Sequence, residues 1–140
     1  MEFALVLPLL CLLLLGVLDF GRCFNYWIDE THLSHEGSRW AAVNKNPGPG
    51  ASLQQSIRMQ SDTPELRNGG SSSTPNPLQV CIDFPNGTTN VGDPVRTSIT
   101  TTYNFLAFLG NRIGITQKTV TATSTMRIEV PPTNYSAGCA

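Results

Sequence analysis

The chain has little charge, and what it has is unevenly placed. Charged side chains make up 14% of the sequence, well below the roughly 25% usual for soluble domains. None falls between Phe3 and Leu18, whereas Asp19 to Trp40 carries Asp19, Asp29, Glu30, Glu36 and two arginines. Nine Lys and Arg stand against ten Asp and Glu, for a formal net charge of −1. Bulk charge therefore gives no pull toward nucleic acid, and polybasic arms and acidic tails are absent. Cysteine is sparse as well. Four in 140 residues, with Cys11 inside the apolar run, exclude a disulfide-dense mini-protein. The sequence also lacks a phosphate-binding glycine loop, a G-x-S-x-G elbow and a C-x-x-C pair, so a cytoplasmic enzyme has no motif to rest on. What is present is one domain's length of chain behind an N-terminal hydrophobic segment.

That segment, Phe3 to Leu18, is sixteen residues, slightly short of the ~20 that span a bilayer. Phe20, Phe24, Tyr26, Trp27 and Ile28 extend it, and an aromatic cluster in that place suits the headgroup belt of a membrane helix. A cleaved secretory signal needs a basic start and a small-residue cleavage site. Met1-Glu2 has no Lys or Arg, and Asp19 to Cys23 offers no such site, so a retained helix is the better reading. Glu2 stands at the edge of this segment. A carboxylate there costs a few kcal/mol unless it finds a partner, so Glu2 is either a contact residue or simply lies among the headgroups.

The helix is expected to continue past the membrane. From Asp19 to Val43 there is no proline, and the first strong stop is Asn44-Lys-Asn-Pro-Gly-Pro-Gly50. A helix from about Phe3 to Val43 would be ~60 Å long, half in lipid and half out. Phe20, Phe24 and Trp27 share one face, Leu33 and Trp40 another, while Asp29, Glu30, Glu36 and Arg39 are placed on the remaining faces. Ser52 to Gln60 reads as a short helix capped by Ser52, and Ser61 to Pro77, rich in Ser, Gly and Pro, as a flexible loop. The period then becomes two. Leu78 to Phe84, Val95 to Phe105 and Val120 to Val130 alternate apolar and polar residues. Three one-sided strands imply an antiparallel meander, and its apolar face needs the extramembrane half of the helix, Trp40 included, as a cover. The expected class is α+β: a long membrane-spanning helix leading into a small three- to four-stranded antiparallel sheet. The expected units are residues 1–44, 45–77 and 78–140.

His32-x-x-His35-Glu36 has the wrong spacing for the H-E-x-x-H zinc pattern or its inverse, so a metal-dependent hydrolase is the weakest reading. Asn86-Gly-Thr88 and Asn134-Tyr-Ser136 match the glycosylation sequon, which is common by chance and matters only in a eukaryotic secretory pathway. The Thr-rich strand faces suit an adhesin or glycan-binding sheet, but threonine is simply a good strand residue. With Cys11 and Cys23 on the membrane side, Cys81 and Cys139 are left in the outer domain, where oxidation is permitted. They form either a disulfide or two free thiols.

Taken in order, Glu2-Phe-Ala-Leu-Val-Leu-Pro8, Gly16-Val-Leu-Asp-Phe-Gly-Arg22 and Glu36-Gly-Ser-Arg-Trp-Ala-Ala-Val43 resemble the N-terminus of TadE-like proteins, pilin-like components of the bacterial tight-adherence (Flp pilus) machinery. Val91-Gly-Asp-Pro-Val95, the strand through Tyr103, a hydrophobic turn after it and Thr121 to Glu129 extend the resemblance into the C-terminal half, leaving out the Ser61–Pro77 loop. The resemblance implies a non-enzymatic, cofactor-free, single-pass pseudopilin or minor pilin of the bacterial cytoplasmic membrane, with its C-terminal domain outside. Its implied partners are other pilin-like subunits, the pilus assembly platform, membrane lipid and, given an upstream leader, the prepilin peptidase. Glu2 would correspond to the fifth-position glutamate of type IVb pilins, whose carboxylate meets a neighbour's N-terminal ammonium within the membrane. Met1 is then the fourth mature position. The cleavage glycine and basic leader are missing, as expected of a start codon placed too late or a member that is not processed. The alternative is a secreted or anchored adhesion or carbohydrate-binding β domain with a cleaved signal.

Overall fold

The structure is a computed structural model describing residues 2–106, 114 and 116–140, with backbone only for residues 2–5. Helix α1 runs from Glu2 to Ala42, roughly 60 Å at 1.5 Å per residue. Pro8 lies inside it and removes one i→i−4 bond. Along its N-terminal half the apolar side chains from Val6 to Leu18 are exposed on every side. Such a helix is one that lipid or other protein covers, and Val6–Ala42 is long and apolar enough to cross a membrane.

The second half of α1 is one-sided. Tyr26, Glu30, Leu33, Gly37 and Ala41 recur every three or four residues and are buried, so they form one stripe down the helix. That stripe lies on a four-stranded antiparallel sheet of order β3-β2-β1-β4. Its strands are β1 (Gln79–Asp83), β2 (Pro94–Asn104), β3 (Gln117–Arg127) and β4 (Gly138–Cys139). In β2 the buried residues Val95, Thr97, Ile99, Thr101 and Tyr103 alternate with more exposed ones, as a half-buried strand requires. The fold is the expected α+β: a long apolar N-terminal helix followed by a small antiparallel sheet. The hydrophobic turn expected after Tyr103 falls largely outside the described residues.

Two expectations need correction. Glu30 does not lie on a face apart from Leu33; it is buried, because it is four residues after Tyr26 and three before Leu33 on the same stripe, and Asp29 beside it is buried too. Trp40 is buried in the core cluster that includes Val80, Ile82 and Val95, and it also lines a groove with Lys45, Pro47, Leu53 and Met59. The Lys45 ammonium sits 3.1 Å over the Trp40 ring, a cation–π contact. Trp40 thus packs toward α2 (Leu53–Arg58), the short helix that Ser52 caps by accepting from the Gln55 amide at 3.1 Å. The segment expected to be a loop holds a further helix, α3 (Pro64–Asn68), with proline in its first turn. Leu66 of α3 is fully buried, and its carbonyl accepts the Leu78 amide at 2.8 Å, which ties the segment to the start of β1.

The C-terminal end of α1 is closed by the rest of the chain. Asn44 turns into the left-handed region (φ 52°), as helix-ending residues do. The Ala42 carbonyl accepts the Glu129 and Val130 amides at 2.9 and 3.1 Å, and the Asn44 carboxamide oxygen accepts the Thr133 and Asn134 amides, both at 3.0 Å. Carbonyls that a helix end leaves unpaired are in this way used to hold the segment after β3.

Gly37 sets how closely α1 approaches the sheet. A Cβ there would lie 2.9 Å from Thr97 Cγ2 and 3.1 Å from Ile57 Cδ1. Gly→Ala inside a helix gains about 1 kcal/mol of propensity, but overpacking costs about 1–3 kcal/mol, so the clash wins. Gly21, also in α1, has nothing within 4 Å. Thermal unfolding in detergent should therefore show Gly37→Ala lowering the midpoint and Gly21→Ala leaving it unchanged or raising it. Equal shifts in the two variants would contradict the close approach at Gly37.

Candidate functional site

Asp19, the first charge after the apolar run, is nearly buried. Its carboxylate accepts the Tyr103 hydroxyl at 2.5 Å and the Leu106 amide at 2.9 Å. Tyr103 is fully buried and meets Tyr26 edge-on at 5.5 Å between ring centroids. Burial, and then the Asp19 hydrogen bond, push the Tyr103 phenol above its usual range, so it remains a donor to that carboxylate. The end of β2 is thereby fastened to α1 where the apolar segment ends. On the neighbouring face Phe20, Phe24, Trp27 and Ile28 are exposed, with Phe24 and Trp27 tilted against each other at 5.5 Å.

Farther along, Asp29 accepts the Ser61 hydroxyl at 2.8 Å and the Thr63 amide at 3.2 Å, holding the entry to α3. Glu30 is fully buried with neither carboxylate oxygen hydrogen-bonded, and the hydroxyls of Thr97 and Thr101 are likewise unpaired. Desolvation, with the Asp29 charge second, raises the Glu30 carboxyl from near 4.5 to about 8. A neutral acid is the form that such a site tolerates. The spacing from Tyr26 and Leu33 was the signal for this burial, and the charge of the residue masked it.

Other candidate residues are spread over the surface. Glu2 is the first residue of α1, and its side chain lies outside the described atoms. His32 and His35 are exposed. Nδ1 of His35 is 3.1 Å from the Ser124 hydroxyl, which accepts from Ser38 at 2.9 Å. Glu36 pairs with Arg39 at 2.8 Å. Among the described residues no group of three His, Cys, Asp or Glu is placed to hold a metal ion. Asn86 and Asn134 are both exposed. Cys81 faces Cys139 across the β1–β4 pair, and the two are joined in a disulfide. Cys11 and Cys23 are free.

Two measurements follow from this arrangement. The folded protein holds the Glu30 proton up to about pH 8, whereas the unfolded chain releases it near 4.5, so Glu30 subtracts stability as pH rises through that window. Glu30→Gln should gain stability over wild type between about pH 5 and about pH 8 and hold a constant advantage above that; a pH-independent difference in unfolding midpoint would contradict the buried acid. The disulfide closes a loop of 58 residues, for roughly 4 kcal/mol in the chain-entropy model. Thiol labelling of unreduced, denatured protein should modify Cys11 and Cys23 and spare Cys81 and Cys139. Full labelling of all four would exclude the bridge.

No curated protein and no solved structure matches the chain. The model of one family does, over residues 1–39, all but the first of which lie in α1, and the sheet domain lies outside the match. Over these residues the chain is similar to TadE-like proteins.

Proposed function

We propose that the protein is a non-enzymatic, single-pass pseudopilin or minor pilin that takes part in assembling Flp (type IVb, tight-adherence) pili for surface attachment. The observation that carries this reading is one coincidence: the TadE-like match covers the helix whose Val6–Leu18 half exposes apolar side chains on every side. The helix anchors the chain in the cytoplasmic membrane and packs beside other pilin-like subunits and the assembly platform. A disulfide in the sheet domain suits an oxidising compartment, and this supports placing that domain on the outer side. The reading leaves no role for nucleic acid or a cofactor.

Glu2 is the residue assigned to subunit contact. It stands at the edge of a charge-free stretch, where a carboxylate gains most from a neighbour's ammonium group. Glu2→Ala should leave the protein in the membrane fraction while abolishing or sharply reducing pilus assembly and crosslinking to partner subunits. Normal piliation in that variant would sink the assignment, and an N-terminus found cleaved near Cys23 in the culture medium would favour the secreted adhesion domain instead.

A further inference from the structure

The apolar stripe of α1 continues past the charge-free run on one side only. At the level where Asp19, Cys23, Tyr26 and Glu30 turn toward the domain, Phe20, Phe24, Trp27 and Ile28 on the neighbouring side remain exposed, Phe20 at 66% and Trp27 at 46%. A groove of about 320 Å³ joins this stripe to the edge strand β3; Phe20, Phe24 and Trp27 form one wall, and Lys118 with Val120 the other. Lys118 is exposed and has no ion-pair partner among the described residues.

The heights along the helix decide what this surface meets. A hydrocarbon core of ~30 Å takes about 20 helical residues. Counted from Phe3, it ends near Arg22, so Phe20 lies at its upper edge. The headgroup layer adds roughly 5–7 Å, or about three to five residues, which places Phe24 within it and Trp27 at its outer side. Asp19 then lies at hydrocarbon depth, which accounts for a carboxylate enclosed behind Tyr103 and Leu106 where an exposed one would be costly. Aromatic rings and a lysine are the side chains that a headgroup layer accepts.

We propose that the sheet domain is seated on the membrane rather than held clear of it. The Phe24–Trp27 part of the face is embedded in the headgroup layer, with Phe20 at the hydrocarbon edge beneath it, and Lys118 is directed at lipid phosphate. The occupant of the groove is the bilayer itself. The argument is the direct continuity of this face with the lipid-spanning stretch of the same helix, together with the complementary charge of Lys118. The inference rests on the membrane-spanning reading of α1 and adds to it the depth and the side on which the domain sits.

Bromine-labelled lipids test it on the full chain in phosphatidylglycerol vesicles. The emission of Trp27 is taken as wild type minus Trp27→Phe, which removes the buried Trp40 signal. Bromines near the top of the acyl chains should remove most of that emission and bromines near the chain ends little of it, and Lys118→Glu should weaken the effect. Leu12→Trp in the Trp27→Phe background serves as the depth control and should be quenched by the deep label. Quenching of that control with Trp27 untouched by either label overturns the inference, and crosslinking between copies through position 27 would then identify the groove as a protein–protein surface. Absence of quenching at position 12 overturns the membrane reading itself, and this inference with it.

Discussion

The hydrogen bonds that Asp19 accepts from the Tyr103 hydroxyl and the Leu106 amide fix where one environment gives way to another along a single helix. Before Asp19, α1 shows apolar side chains in every direction; after it, the helix has one face committed to a sheet. A free carboxylate at that point would be costly in lipid and would leave β2 without an anchor. Enclosed by a buried tyrosine, it lets a domain begin at the residue where the apolar segment ends. The sheet order follows suitably: β2, which carries Tyr103, is central, between β1 and β3, and lies under α1.

From that junction the packing runs in one direction along the helix. Tyr26 meets Tyr103 edge-on, Leu33 is sealed in the core, Gly37 admits Thr97, and the last carbonyls of α1 are taken up by the chain after β3. Each step uses the heptad-like spacing of α1 against the two-residue period of the strands. The cost of the arrangement is concentrated at Glu30, a fully buried acid without a hydrogen bond, which the fold accommodates by keeping it protonated.

Much of this architecture was legible in the sequence, because its signals were periodic. A charge-free run, a proline-free stretch up to Asn44 and three alternating segments sufficed for α1 and for β1 to β3. The Ser52 cap marked α2 as well. What was not legible was set by tertiary contacts. α3 lies in a segment whose composition favours a loop, and it is held there by Leu66 and by the Asp29 carboxylate. Asp29 and Glu30 were set on faces apart from Leu33, although Glu30 lies three residues before it on the buried stripe. The cover that Lys45 and Pro47 give Trp40 on its other side was not marked by the helical spacing. At the candidate site, the order of short motifs in residues 2–43 carried the resemblance, and the family match falls on the same helix.

The central claim is that α1 is one uninterrupted helix serving lipid on its first half and a sheet on its second, with Asp19 as the junction. Amide hydrogen exchange on the protein in nanodiscs tests it most directly. Slow exchange running without a break from Val6 through Ala42, Gly21 and Arg22 included, is the result this account predicts. A window of fast exchange between Asp19 and Phe24 would contradict it, because anchor and domain would then be separate bodies joined by a flexible hinge.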